Sequence, residues 1–133
     1  MISALPGGRA RRVFHAGFFH FFTTERKTWE VKRYAPMIAV KSNRTEIEVF
    51  EAIDLLPVVA YQDAFFEDHQ TRALELIGKR DPTDADLLAL TLKLGYPLWS
   101  HDHDFDHIAE IVVLSTEALL AEIARLSALT QTE

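Results

Sequence analysis

The sequence predicts an α/β fold of the doubly wound class, a parallel central sheet in a three-layer α/β/α arrangement. Short runs of apolar, β-branched or aromatic residues ("FHFFTT", "PVVAY", "YPLWS", "IVVLS") alternate with helical segments, most of ten or more residues. Strands separated by such helices pair in parallel and are covered on both faces. No repeat and no Gly/Ser/Pro linker divides the 133 residues, so one domain over residues 1–133 is expected.

Each element has a local reason. "GGRARRVFHAG" (Gly7 to Gly17) is a short helix closed by glycine, and "FHFFTT" (Phe19 to Thr24) is a buried strand. Thr24 is an N-cap for a helix over Glu25 to Ala35, which Pro36 ends or kinks. From Arg44 to Leu56, apolar residues at 47, 50, 53 and 56 mark a one-sided helix. "PVVAY" (Pro57 to Tyr61) is a strand, and Gln62 to Gly78 a helix ending on glycine. Thr83 to Gly95 is a further helix, leading into the strand "YPLWS". "IVVLS" (Ile111 to Ser115) is the last strand and Thr116 to Leu129 the last helix.

Composition removes several chemistries. With no cysteine there is no disulfide, thiolate zinc site, iron–sulfur cluster or cysteine nucleophile. The apolar runs fall far short of the roughly 18 residues of a membrane span, and the first residues do not resemble a signal peptide, so a soluble cytoplasmic protein is expected. The net charge of −6 is unevenly spread: residues 1–50 carry nine Lys/Arg and four Asp/Glu (+5), residues 51–133 five and sixteen (−11). That asymmetry suits a polyanion held by one region and cations held by carboxylates in another; on charge alone, two solvated faces are the preferred explanation.

The densest chemistry lies in "PLWSHDHDFDH" (Pro97 to His107), directly after a strand, at the sheet edge where ligands of such folds sit. An EF-hand would need Gly and Glu where His107 and Val113 stand. The His-x-His-x-Asp-His zinc signature fails by one residue, and no histidine follows His107. Carboxylates remain: Mg²⁺ and Mn²⁺ prefer oxygen ligands drawn from several elements. Asp102 is one candidate, Asp84 and Asp86 at a helix start are others, and Glu30 stands in mid-helix. All but Asp102 also have a helix-stabilising explanation. Thr83-x-x-Asp86 is a capping box, the preferred explanation of Asp86, and Asp84 sits in a first turn. Asp104 or Asp106 suits the cap of a short turn including Ile108 and Ala109, and Glu30 the pairing partner of Lys27 or Arg33. His101, His103 and His107 read as exposed or supporting groups.

Taken together, these residues resemble a PIN domain, the metal-dependent ribonuclease fold of many VapC-type toxins. "RDPTDADLLALTLKLGYPLWSHDHDF" (Arg80 to Phe105) carries the resemblance, being similar to that family's Asp-Ala-Leu-Leu-Ala-Leu-Ala helix and Pro-Leu-Trp-Ser/Thr-x-Asp-x-Asp-Phe. "TTERKTWEVKRYAP" is similar to its Glu-bearing helix and "IVVLSTEALL" to its last strand and helix. The resemblance implies an endoribonuclease, the toxin of a toxin–antitoxin pair, with Mg²⁺ or Mn²⁺ held by Glu30, Asp84 and Asp102. Asp104 would support the site and Ser100 would be its small hydroxyl residue. Bound cation would lower the pKa of water and offset charge on the RNA phosphate. Arg9, Arg11, Arg12, Lys27, Lys32 and Arg33 are the candidates to hold the RNA backbone. The family pattern opens on a strand with a first catalytic Asp, whereas this chain opens "MISALPGG" and has no acid before Glu25. That implies a missing first strand, a homodimer or higher oligomer that covers the gap, and, as the alternative function, an inactive remnant that only binds RNA or an antitoxin protein.

Overall fold

A computed structural model describes residues 8–77 and 82–131. These residues fold into two compact units. The first comprises residues 8–21, 30–58 and 115–131, and the second residues 22–29, 59–77 and 82–114.

The first unit is mainly helical. Helix α1 (Gly8–His15) buries Ala10, Val13 and Phe14 and packs on α8 (Thr116–Gln131). Phe14 also meets Phe21 with ring centroids 4.8 Å apart. Between α1 and strand β1 (Phe21–Thr24), Gly17 takes a left-handed φ of 81°, a backbone conformation that residues with a side chain rarely adopt. Helix α2 (Glu25–Arg33) runs from the second unit into the first. It starts as expected at Thr24, whose Oγ1 accepts from the Lys27 amide at 3.0 Å.

The helix breaks before Pro36, as expected, and Pro36 also opens the next one. α2 stops at Arg33, and a new helix, α3 (Ala35–Ser42), begins with Pro36 in its first turn. Proline lacks only an N–H that would have no intrahelical partner there, so it opens a helix as readily as it ends one. Helix α4 (Glu46–Asp54) opens on a capping box: the Glu48 amide donates to Thr45 Oγ1 at 3.1 Å and the Thr45 amide to Glu48 Oε1 at 3.2 Å. The expected stripe of Ile47, Phe50, Ile53 and Leu56 is rotated. Val49 and Ile53 join Val31, Ala35, Ile38 and Ala39 in the core, while Ile47 is 70 % exposed. Apolar residues occupy both helical spacings in α4, and the packing of α3 selects the i, i+4 pair.

The second unit holds the larger core. Strand β2 (Val58–Tyr61) pairs with β1. The helix expected from Gln62 is broken into α5 (Asp63–Phe66), a 3₁₀ turn (Glu67–His69) and α6 (Gln70–Ile77). Phe66 leaves helical geometry at φ −113°, ψ 14° and is fully buried, so the break accompanies the seating of that ring. The expected glycine stop at Gly78 lies outside the described residues. Helix α7 (Pro82–Leu94) packs on α5 and α6, and Gly95 at φ 70° ends it with an amide donated to Thr91 O at 2.9 Å. The core unites Phe66, Ala73, Leu88, Leu98, Phe105 and Ile108.

Strands β3 (Leu98–Trp99) and β4 (Val113–Leu114) pair in parallel, Leu98 with Val113 and Trp99 with Leu114. The α/β character and a parallel pair are therefore present. The expected continuous central sheet is not: the described residues form two separate two-stranded sheets, β1–β2 and β3–β4. Strands of two residues have room for only a few ladder bonds, and among the described residues no strand links the two pairs. The expected missing first strand concerns residues 1–7 and beyond, outside the described residues. No helix among the described residues is long and apolar enough to cross a membrane.

Candidate metal centre

The acidic loop after β3 is built by short-range bonds and one buried anchor. Leu98 donates to Val112 O at 2.8 Å and Ser100 to Leu114 O at 3.1 Å, which sets Ser100 at the end of the parallel pair. Ser100 Oγ then accepts the Asp102 amide at 3.0 Å. Asp102 Oδ1 in turn accepts the Asp104 amide at 2.9 Å and caps a 3₁₀ turn, His103–Phe105. Asp102 thus caps the turn that precedes the one expected around Ile108 and Ala109. Phe105, 1 % exposed, and Ile108 drive this turn into the core. The loop is exposed at Asp102 and Asp106, half-buried at Asp104 and tied down at its aromatic residue.

Across from it, Asp84 stands half-buried in the first turn of α7, where the free amides favour a carboxylate. One oxygen each from Asp84, Asp102 and Asp104 lies within 4.8 Å of the others. Three hard oxygen donors this close form a set that suits Mg²⁺ or Mn²⁺. Asp104 stands in the cluster beside Asp102 and Asp84.

The other expected residues are placed as follows. Glu30 is half-buried in the middle of α2 and belongs to the first unit, whereas the three aspartates belong to the second. Arg9 pairs with Glu117 at 3.0 Å and Lys32 with Asp54 at 3.0 Å, so both have protein partners. Arg11, Arg12 and Arg33 are exposed, and Lys27 is half-buried. The three loop histidines are exposed, as expected. The His103 ring sits 2.7 Å from Asp106 Oδ2, a hydrogen bond that, with the Asp106 charge, raises its pKa above the ordinary value.

Asp86 overturns its sequence explanation. Thr83 lies inside α7, so Thr83-x-x-Asp86 is no capping box at the helix boundary. Asp86 is instead 4 % exposed, accepts Gln70 Nε2 at 2.6 Å and pairs with Arg26 Nε at 3.1 Å. The residues around it, Ala85, Leu88, Ala89 and Leu90, are all buried. An acid inside so apolar a stretch of helix needs a partner, and that was the available signal.

A family model of the PIN domain matches residues 1–124. The chain belongs to the PIN domain family. PIN domains are generally nucleases that act on RNA or DNA and generally depend on divalent metal, in agreement with the oxygen cluster of Asp84, Asp102 and Asp104. No curated protein and no solved structure matches the chain.

Proposed function

We propose that this PIN domain is a metal-dependent endoribonuclease, the toxin of a toxin–antitoxin pair. The observation that carries the reading is the convergence of Asp84, Asp102 and Asp104 within 4.8 Å on two separate elements, α7 and the loop after β3. These carboxylates hold the cation, and Glu30 joins them on the family resemblance alone. When bound, Mg²⁺ or Mn²⁺ lowers the pKa of a coordinated water and offsets charge on the scissile phosphate. Ser100 positions Asp102 through its amide. Arg11, Arg12 and Arg33, exposed on their helices, supply cations for the RNA backbone, joined by Arg9, Lys27 and Lys32 where substrate competes with their present partners.

The family match spans segments of both compact units, which supports reading the chain as one domain. An antitoxin protein is the proposed partner. The exposure of Val40, Ile47 and Leu55, at 83 %, 70 % and 78 %, supports a homodimer or higher oligomer that covers apolar surface.

Mn²⁺-dependent cleavage of single-stranded RNA tests the reading. Cleavage that disappears in Asp102→Asn supports it, and cleavage that survives Asp102→Asn refutes it. A Mn²⁺-dependent rise in melting temperature without cleavage would instead favour a binding-only PIN domain.

A further inference from the structure

In the second unit, a cleft of about 510 Å³ opens at the start of α2 and α5, lined by Glu25, Arg26, Trp29, Gln62, Asp63 and Ala64. Its lining has an unusual charge balance. Glu25 and Asp63 are exposed first-turn residues, and among the described residues neither is held by an ion pair or a side-chain hydrogen bond. The cation of the lining, Arg26, is engaged by Asp86 at 3.1 Å. Trp29 leaves 71 % of its surface in water, and indole is the best aromatic partner for a cation. The cleft therefore combines two carboxylates that no side chain among the described residues pairs with and an open aromatic face.

We infer that this cleft binds an arginine side chain presented by a partner protein. A guanidinium is planar, weakly hydrated and carries five donors, so it can stack on Trp29 while donating to Glu25 and Asp63. An ammonium would meet the charge without the stacking geometry. RNA is disfavoured at this place, because its phosphates would approach two carboxylates whose neighbouring cation is already committed. The site needs none of the metal-binding acids, so it stands or falls separately from the nuclease reading. The link between the cleft and α7 runs through Arg26, a lining residue that pairs with Asp86.

The experiment is a proton–nitrogen correlation titration of the full chain with the peptide acetyl-Ala-Arg-Ala-amide at low salt. The two indole signals, Trp29 and Trp99, are assigned with Trp29→Phe. The expected result is a saturable shift of the Trp29 signal at millimolar peptide, little change in Trp99, and no shift with the peptide carrying neutral citrulline in place of arginine. Glu25→Gln combined with Asp63→Asn, with the rest of the spectrum unchanged, should weaken binding about fivefold, the loss of two exposed charge contacts. An immobile Trp29 signal, an equal response to citrulline, or undiminished binding by the double variant would overturn the inference. A stronger Trp29 response to a short uridine oligonucleotide would reassign the cleft to nucleic acid.

Discussion

Replacing Arg26 with methionine tests how α2 is held against α7. The substitution keeps an apolar stem but removes the cation from Asp86, whose side chain is 6 % exposed and keeps only the 2.6 Å bond from Gln70. Breaking a fully buried ion pair costs about 3–5 kcal/mol. The Arg26 side chain is 46 % exposed, so water replaces part of what is lost, and the expected cost falls to about 2 kcal/mol. For a chain of this size that lowers the melting temperature by roughly 6–10 °C. Asp86→Asn removes the charge together with its need for a partner and costs less, about 1 kcal/mol. In the double variant the two losses should not add. A coupling of about 1 kcal/mol is expected, because Arg26 has nothing to neutralise once Asp86 is uncharged. Urea unfolding of the four proteins, followed by circular dichroism, supplies the cycle. A neutral Arg26→Met, or strict additivity in the double variant, would refute the claim that Asp86 depends on Arg26.

Two further outcomes follow from the same unit. Phe105→Ala empties the buried anchor of the acidic loop and should cost about 3–5 kcal/mol, with Phe105→Leu costing far less; urea unfolding reads both, and a loss below about 1 kcal/mol would mean the loop is held elsewhere. Asp68 accepts from Lys93 Nζ at 2.9 Å, and that bond, helped by His69, holds its carboxyl below the ordinary 3.8. A depressed folded-state pKa contributes stability that is complete above 3.8 and is lost as pH falls through the lowered value. A carbon-detected pH titration should show the Asp68 midpoint below 3.8 and its return toward that value in Lys93→Met.

The elements with strong local signals were legible from the chain. Thr24 and Gly95 act through bonds between residues at most four apart, so their residue types announce them. Pro36 was ambiguous because proline suits a first turn as well as a stop. The apolar set of α4 was ambiguous because two stripes were available and only the presence of α3 chooses between them.

By itself, then, the sequence determined the alternation of strands and helices, the α/β class, the carboxylates of the loop after β3 and the family. Tertiary structure decided which acids meet. Asp84 reaches Asp102 and Asp104 because Leu98 and Phe105 pack into the same core as Leu88 of α7, and Asp86 is drawn to Gln70 and Arg26 on other elements. It also decided that the short strands pair two by two. Local propensity reaches a few residues along the chain, whereas these pairings depend on which apolar faces share one core, and that is settled only when the whole segment is packed.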